Sequence, residues 1–378
     1  TNTKAEQALL ATFEANMGRL PGGVPIQAMR KAAMGAFQSK GLPSRRVEEW
    51  KYTDLKSNLK EAFPLAKGGN DGPAHYFVDT ALSPEFGGEF EKNFVLFADG
   101  RGFTSNGAVR TKDGQAPFLA EILKDPPAWV AKALSPPEMG AASDVLINTA
   151  LFTDGAVIDV AQGAELSEPL LIVSEAGHVR GDDPAQGALT ALRHVIRVGK
   201  GAKVTIVEMD RSGARAQRQS SALTNLEIGE GADVTHIKIV AARKGSVHLG
   251  QWQVGLGAKA TYRPFQLTLG EGLVRNGLNV AFNGQHATFD FGGASIVHGT
   301  GHADTTLTVD HKVPHCTSRE LFKTVLDGQA RAVFQGKVIV RPDAQKTDGK
   351  QMAQALMLSP EAEFDSKPEL EIYDDDVV

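Results

Sequence analysis

From Gly163 onward one phrase recurs: an apolar strand, a turn carrying glycine and alanine, and another apolar strand. It stands as Gly163-Ala164-Glu165, Gly201-Ala202-Lys203, Gly231-Ala232-Asp233 and Gly257-Ala258-Lys259. Variants follow at Gly284-Gln285-His286-Ala287 and Gly328-Gln329-Ala330. The turn glycines are 26 to 44 residues apart. Spacings of that size mark a solenoid or a propeller. The units between turns are β-branched, as in Val204-Thr205-Ile206-Val207, and read as strands, not helix pairs. No Trp-Asp or kelch signature marks propeller blades. The irregular spacing argues against a strict six-residue repeat. The expected fold is therefore mainly β, a parallel β-helix whose coils stack through backbone hydrogen bonds. Glycine is expected at the corners because it tolerates positive φ.

The segment Asp304 to Val378 reads as the last coils, with Val338-Ile339-Val340 and Leu370-Glu371-Ile372-Tyr373 as strands. At the other end of the core, Leu151 to Val160 reads as two short strands around a tight turn. Three regions follow: a helical N-terminal region over 1–60, a mixed α/β linking region over 61–140 and the β-helix core over 141–378. In the first, Leu9, Leu10, Phe13 and Met17 recur at helical spacing, as do Met29, Ala33 and Phe37. Gly22-Gly23-Val24-Pro25 separates the two helices. Trp50 and Tyr52 read as packing anchors. In the linking region, Phe94 to Gly100 reads as a strand ending in a turn and Phe118 to Leu123 as a short helix, with a boundary at Ser135-Pro136-Pro137.

A net charge of −5 argues against nucleic acid as a partner. No apolar run approaches the roughly 20 residues of a membrane span. The polar start, Thr1 to Gln7, does not read as a leader, and the single cysteine, Cys316, excludes an intrachain disulfide. A cytoplasmic protein is expected. Gly299-Thr300-Gly301-His302 lacks the strand–loop–helix context of a phosphate loop, so neither binding nor hydrolysis of ATP is expected.

Five of the ten histidines, His286, His298, His302, His311 and His315, lie near Cys316. Imidazole and thiolate together suit iron, zinc or copper, and His311 with Cys316 is the candidate metal-binding pair. The plainer reading makes His298 and His302 polar turn residues and Cys316 a small buried hydrophobe. No catalytic triad order or paired-carboxylate site stands out.

Several blocks carry a specific resemblance: Glu49-Trp50-Lys51-Tyr52-Thr53, Asn148 to Gly155, Ser318-Arg319, Arg331-Ala332-Val333-Phe334-Gln335-Gly336-Lys337, Ala344 to Asp348, and Lys367-Pro368-Glu369-Leu370-Glu371-Ile372-Tyr373 through Val377. With these the chain resembles the SufB/SufD family of iron–sulfur cluster assembly scaffold proteins. The single cysteine, the Arg331 to Phe334 run and the Pro368 to Tyr373 phrasing resemble the family's other branch more than its SufB branch. The resemblance implies a right-handed parallel β-helix core with a helical N-terminal region. It implies a non-catalytic subunit that works with SufB and the ATPase SufC. It also implies that no cofactor is held stably by this chain alone, the cluster forming transiently in the complex. In the family the run ending at Val377 leads into a Lys-Cys-x-His-Gly motif and a helical segment. No position here matches that motif, and none of its residues is carried over. A SufB-type cluster scaffold and a β-helix carbohydrate-active enzyme are the alternatives. Unpaired strands at the end of a β-helix accept another chain, so a homodimer through residues between about Arg331 and Val377 is expected for the isolated protein.

Overall fold

The computed structural model describes residues 2–67, 93–106, 118–135, 142–175, 187–211 and 217–373. Pro136-Pro137 and the stretch from Asp374 to Val377 lie outside the described residues. Helix α1 spans Lys4–Asn16 and α2 spans Val24–Lys40. Thr3 and Glu6 form a reciprocal capping box that starts α1. Strands β1 (Phe94–Ala98) and β2 (Arg101–Asn106) form an antiparallel hairpin. Its two-residue turn places Asp99 and Gly100 at φ of 48° and 76°, which suits the strand twist. Helix α3 (Ser143–Leu151) follows.

The core strands are β3 (Val157–Val160), β4 (Leu170–Glu175), β5 (Ala188–Val198), β6 (Lys203–Arg211), β7 (Arg218–Ile228), β8 (Asp233–Ala242), β9 (Val247–Leu256) and β10 (Thr261–Gly270). They continue as β11 (Leu273–Phe282), β12 (Thr288–Val297), β13 (His302–His311), β14 (Thr317–Leu326), β15 (Arg331–Val340), β16 (Asp348–Met357) and β17 (Glu363–Ile372). Each pairs in parallel with the strand two places on. Odd strands β3 to β17 form one sheet, and even strands β4 to β16, extended by β1 and β2, form the other. Successive strands thus alternate between two facing sheets, as in a parallel β-solenoid. Side chains alternate inward and outward, and the inward set contains one connected apolar cluster that reaches from Ile158 to Val340.

The corners differ from the simplest reading of the repeat. Along one corner Gly163, Gly201, Gly231, Lys259, His286, His315 and Lys346 are left-handed at one recurring position, a far more even series, and the last turn adds a second at Asp343. Gly257 and Gly284 are not left-handed; they align with Gly199 and Gly229, two residues before that position. Their glycine requirement is spatial. A Cβ on Gly284 would lie 2.0 Å from the backbone nitrogen of Ala258 on the coil below. Gly328 (φ 67°) belongs to the opposite corner, with Gly245, Gly270 and Gly299.

A second correction concerns the start of the core. Ser143–Leu151 is a helix, not the start of the β-helix, and all nine of its residues are buried. It lies between the N-terminal helices and the odd-strand sheet. Asn148 donates to the Leu192 carbonyl (2.9 Å) and the Ser221 hydroxyl (3.0 Å). On its other side Arg30 donates to the Ala150 carbonyl (3.1 Å) and stacks over Phe152 (3.9 Å).

The Trp50 anchor docks on a face of the solenoid. The segment Glu48 to Thr53 runs along the outer face of the odd sheet as a strap. Arg275 and Gln335 both donate to the Glu49 carbonyl, at 2.8 and 3.1 Å. The Arg275 guanidinium also sits 3.9 Å over the Trp50 ring and pairs with buried Asp304. Thr53 hydrogen-bonds Asp304 and His302, and Lys367 of β17 pairs with Glu48.

Close coil stacking gives a contrast to measure. Gly284→Ala should destabilise by about 1–3 kcal/mol, because the methyl must displace backbone. Gly35→Ala, on an exposed part of α2 with nothing within 4 Å of the added methyl, should stabilise by about 0.5–1 kcal/mol. Urea unfolding of the two variants checks both signs.

Candidate functional site

His311 ends β13 with its ring wholly buried and stacked on Phe282 (centroids 4.3 Å, 18°). Neither ring nitrogen has a hydrogen-bond partner, and burial pushes its pKa down to about 4. It is a neutral, flat core side chain. Cys316 is also buried, and its thiol donates to the carbonyls of Gly284 (3.4 Å) and Pro314 (3.6 Å). Burial pushes the thiol pKa up, partly offset by the Ala287 and His286 backbone N–H groups. A raised pKa means little thiolate, the form that reacts and binds metal.

The remaining histidines of the sequence cluster disperse. His302 meets the strap through Thr53 (2.8 Å). His298 is exposed on the opposite corner, 3.9 Å from Glu271. His286 and His315 come together on one corner, rings stacked at 4.9 Å and 12°. Among the described residues no three His, Cys, Asp or Glu side chains converge closely enough to hold a metal ion.

Inspection of the sequence missed a buried polar cluster inside the solenoid. Inward positions of β6 to β10 carry Glu208, Asp210, Arg218, Ser220, His236, Lys238, His248 and Tyr262, all nearly inaccessible. His236 bridges Glu208 (3.0 Å) and the Tyr262 hydroxyl (3.0 Å), and stacks on Trp252 (4.8 Å). Arg218 pairs with Asp210 at 3.1 Å and donates to Ser174 and Thr190. Burial alone would raise both carboxyls. For Glu208 the His236 hydrogen bond and Lys238 outweigh burial; for Asp210 it is Arg218 and His248, so both stay ionised. Facing the two carboxylates are the Arg218 guanidinium and the Lys238 amine, whose pKa burial lowers against the opposing pull of Glu208 and Asp210. The alternation of polar residues in these strands was visible, as in His236-Ile237-Lys238. Which parity faced inward was not.

Ser220, His248 and Asp210 are near one another without forming a triad. Ser220 Oγ (2.8 Å) and Asp210 Oδ1 (3.5 Å) both face Nδ1 of His248, and Nε2 has no partner. A hydrolytic relay needs the carboxylate on one ring nitrogen and the nucleophile on the other.

Nearer the last coil, Glu320 is buried with neither carboxylate oxygen hydrogen-bonded in good geometry. Burial pushes its pKa up to about 7, tempered by the adjacent Ser318 hydroxyl and Arg319.

The last two described strands are paired on one side only among the described residues, β16 with β14 and β17 with β15. Met352, Leu356, Met357, Leu370, Ile372 and Tyr373 are exposed there. Asp348 and Leu358 donate to β14 or its flank, and Glu363 and Tyr373 to β15 or its flank. By alternation, the N–H groups of Ala353, Ala355, Ser366 and Leu370 face outward. Pro368 shares that outward parity and offers no N–H.

Two measurements probe the buried groups. Cys316 should react slowly with a bulky thiol reagent in the native protein and promptly in denaturant. For Glu320 the folded pKa lies above the ordinary 4.5, so the folded state keeps a proton that the unfolded chain releases. Stability should therefore fall between about pH 4.5 and 7, by about 3 kcal/mol in the limit of full burial. Glu320→Gln should remove that slope in denaturant titrations taken across this window.

The SUF system FeS cluster assembly, SufBD core domain matches residues 180–378, and the SufBD protein N-terminal region matches residues 4–75. An iron–sulfur cluster assembly SufBD family protein of Synechocystis sp. is 28% identical over 362 residues, covering 92% of this chain and 77% of that protein. The iron–sulfur cluster assembly protein SufD of Escherichia coli is 27% identical over 337 residues, covering 89% and 75%. The core match spans the charged interior, the candidate pair and the last two described strands alike. The chain belongs to the SufBD family of iron–sulfur cluster assembly proteins.

Proposed function

We propose that this chain is the SufD-type, non-catalytic scaffold subunit of a cytoplasmic SufB–SufC–SufD complex. The observation that carries this reading is the last described strand of each sheet, β16 and β17, with outward N–H groups unpaired among the described residues and exposed apolar side chains, in a chain of this family. A related β-helix with the same strand spacing can add its own strands there, main-chain bonds giving affinity and side chains giving specificity. In this reading SufB is the partner across β16 and β17, and SufC hydrolyses the ATP. The iron–sulfur cluster is the cargo of the assembled complex and is not a resident group of this chain. Without SufB the same edge takes a second copy, giving a two-fold homodimer.

The strand order defines the test. Val338 and Ile339 lie on β15, which is hydrogen-bonded on both sides, so proline there would break the core itself. Proline at Ala355 and Leu370 removes outward N–H groups while leaving the bonds to β14 and β15 in place. The double variant Ala355→Pro/Leu370→Pro should sediment as a monomer and lose SufB in co-purification, with its melting temperature little changed. A wild-type monomer, or retention of SufB by a monomeric double variant, would refute the assignment of this edge.

A further inference from the structure

We propose that His286 and His315 form a two-imidazole site for a divalent transition-metal ion on the solenoid corner. The two residues occupy the same position on successive coils, each the left-handed residue of its turn, at φ of 60° and 63°. Left-handed backbone is uncommon for residues with a Cβ, though histidine tolerates it better than most. The stacking of coils repeats that conformation and holds the two Cα–Cβ bonds side by side. Both side chains are exposed, and their rings lie 4.9 Å apart and nearly parallel. The His315 N–H is anchored to the Gln345 carbonyl (2.9 Å), which fixes the backbone presenting that ring.

Neutral imidazole is a favoured ligand for zinc, nickel and copper. Metal–nitrogen bonds of about 2.0–2.1 Å require the two nitrogens to be within about 4 Å of each other. Rings stacked at 4.9 Å are a modest χ rotation from that spacing, and exposed rings turn freely. Water completes the coordination. The site is separate from Cys316, whose thiol points inward to Gly284. Lys259 and Lys346 hold the same corner position on the coils before and after. Their ammonium groups oppose cation binding, so a modest, micromolar affinity is expected. The site does not depend on the assembly role proposed above.

Isothermal titration of the untagged full chain with Ni2+ or Zn2+ alone tests the proposal. One ion per chain should bind in the micromolar range. Either His286→Ala or His315→Ala should weaken it about 100-fold, the gain expected from joining two weak ligands. His298→Ala, an exposed histidine on the opposite corner, should bind like the wild type. These three side chains are exposed, so circular dichroism should show all variants folded. Absence of stoichiometric binding below millimolar metal, unchanged binding in His286→Ala, or an equal loss in His298→Ala would each overturn it.

Discussion

Everything in this molecule hangs on the parallel backbone ladder that joins each coil to the next. A solenoid strand has no local partner, because the next strand in sequence lies in the opposite sheet. Its N–H and C=O groups are satisfied only two strands on, and unsatisfied buried groups are costly. Coil height is therefore fixed by strand spacing, about 4.7–4.9 Å, and each corner must turn within that height. Gly199, Gly229, Gly257 and Gly284 occur where one corner passes almost in contact with the coil below. The left-handed residue two positions later completes the turn, and there glycine gives way to Lys259, His286, His315 and Lys346. The contact position stays glycine from Gly199 through Gly284 and takes Val313 and Ala344 only on the last coils, whereas the left-handed position accepts side chains from Lys259 onward.

This distinction explains what was legible in the sequence. The period and the strand chemistry were enough for the solenoid, because glycine marks corners whichever of the two positions it fills. They were not enough for the register, because Gly201-Ala202 and Gly257-Ala258 look alike and occupy different places. Ser143–Leu151 was misread for another reason. Val145, Leu146, Ile147, Ala150 and Leu151 are apolar enough for a buried strand, and a short apolar run does not reveal its period. Trp50 was legible as an anchor but not its target. Arg275, Asp304 and Gln335 meet the strap only once three coils are stacked. The candidate pair His311 and Cys316 was close in sequence, yet the β13-to-β14 corner gives each its own buried surroundings.

The interior raises a different question, why a solenoid with ample apolar residues buries Glu208, Asp210, Lys238 and Arg218. A buried ion network is weak evidence for added stability, since desolvation opposes the Coulomb gain. It does discriminate between registers. Shifting one strand by a single residue would turn these charges outward and bring Ile237 or Ile239 inward, separating every pair at once. An apolar interior alone would accept Val, Ile and Leu in either register. The network thus favours one stacking of β6 to β10, the middle of the ladder, from which coils extend in both directions.

The first and last described strands of that ladder are not equivalent. At the start, β1 joins β4 in parallel and then folds back through a two-residue turn into antiparallel β2, which occupies the edge. The odd-strand face is covered by α3 and the strap, while Phe265, Ile296 and Leu321 remain exposed on the even-strand face. At the far end, the strap reaches β17 through Lys367 and Glu48 but leaves the outward backbone of β16 and β17 free of partners among the described residues. Natural edges are protected by proline, charge or cover. Here Pro368 removes one outward N–H in the middle of β17, and Lys367, Glu369 and Glu371 flank it with charge. An edge guarded in this way resists indiscriminate strand addition, yet Met352, Leu356, Leu370 and Tyr373 keep apolar surface beside it. Such an edge selects for a partner that matches both the gap at Pro368 and the apolar side chains around it, which a bare, regular strand would not do.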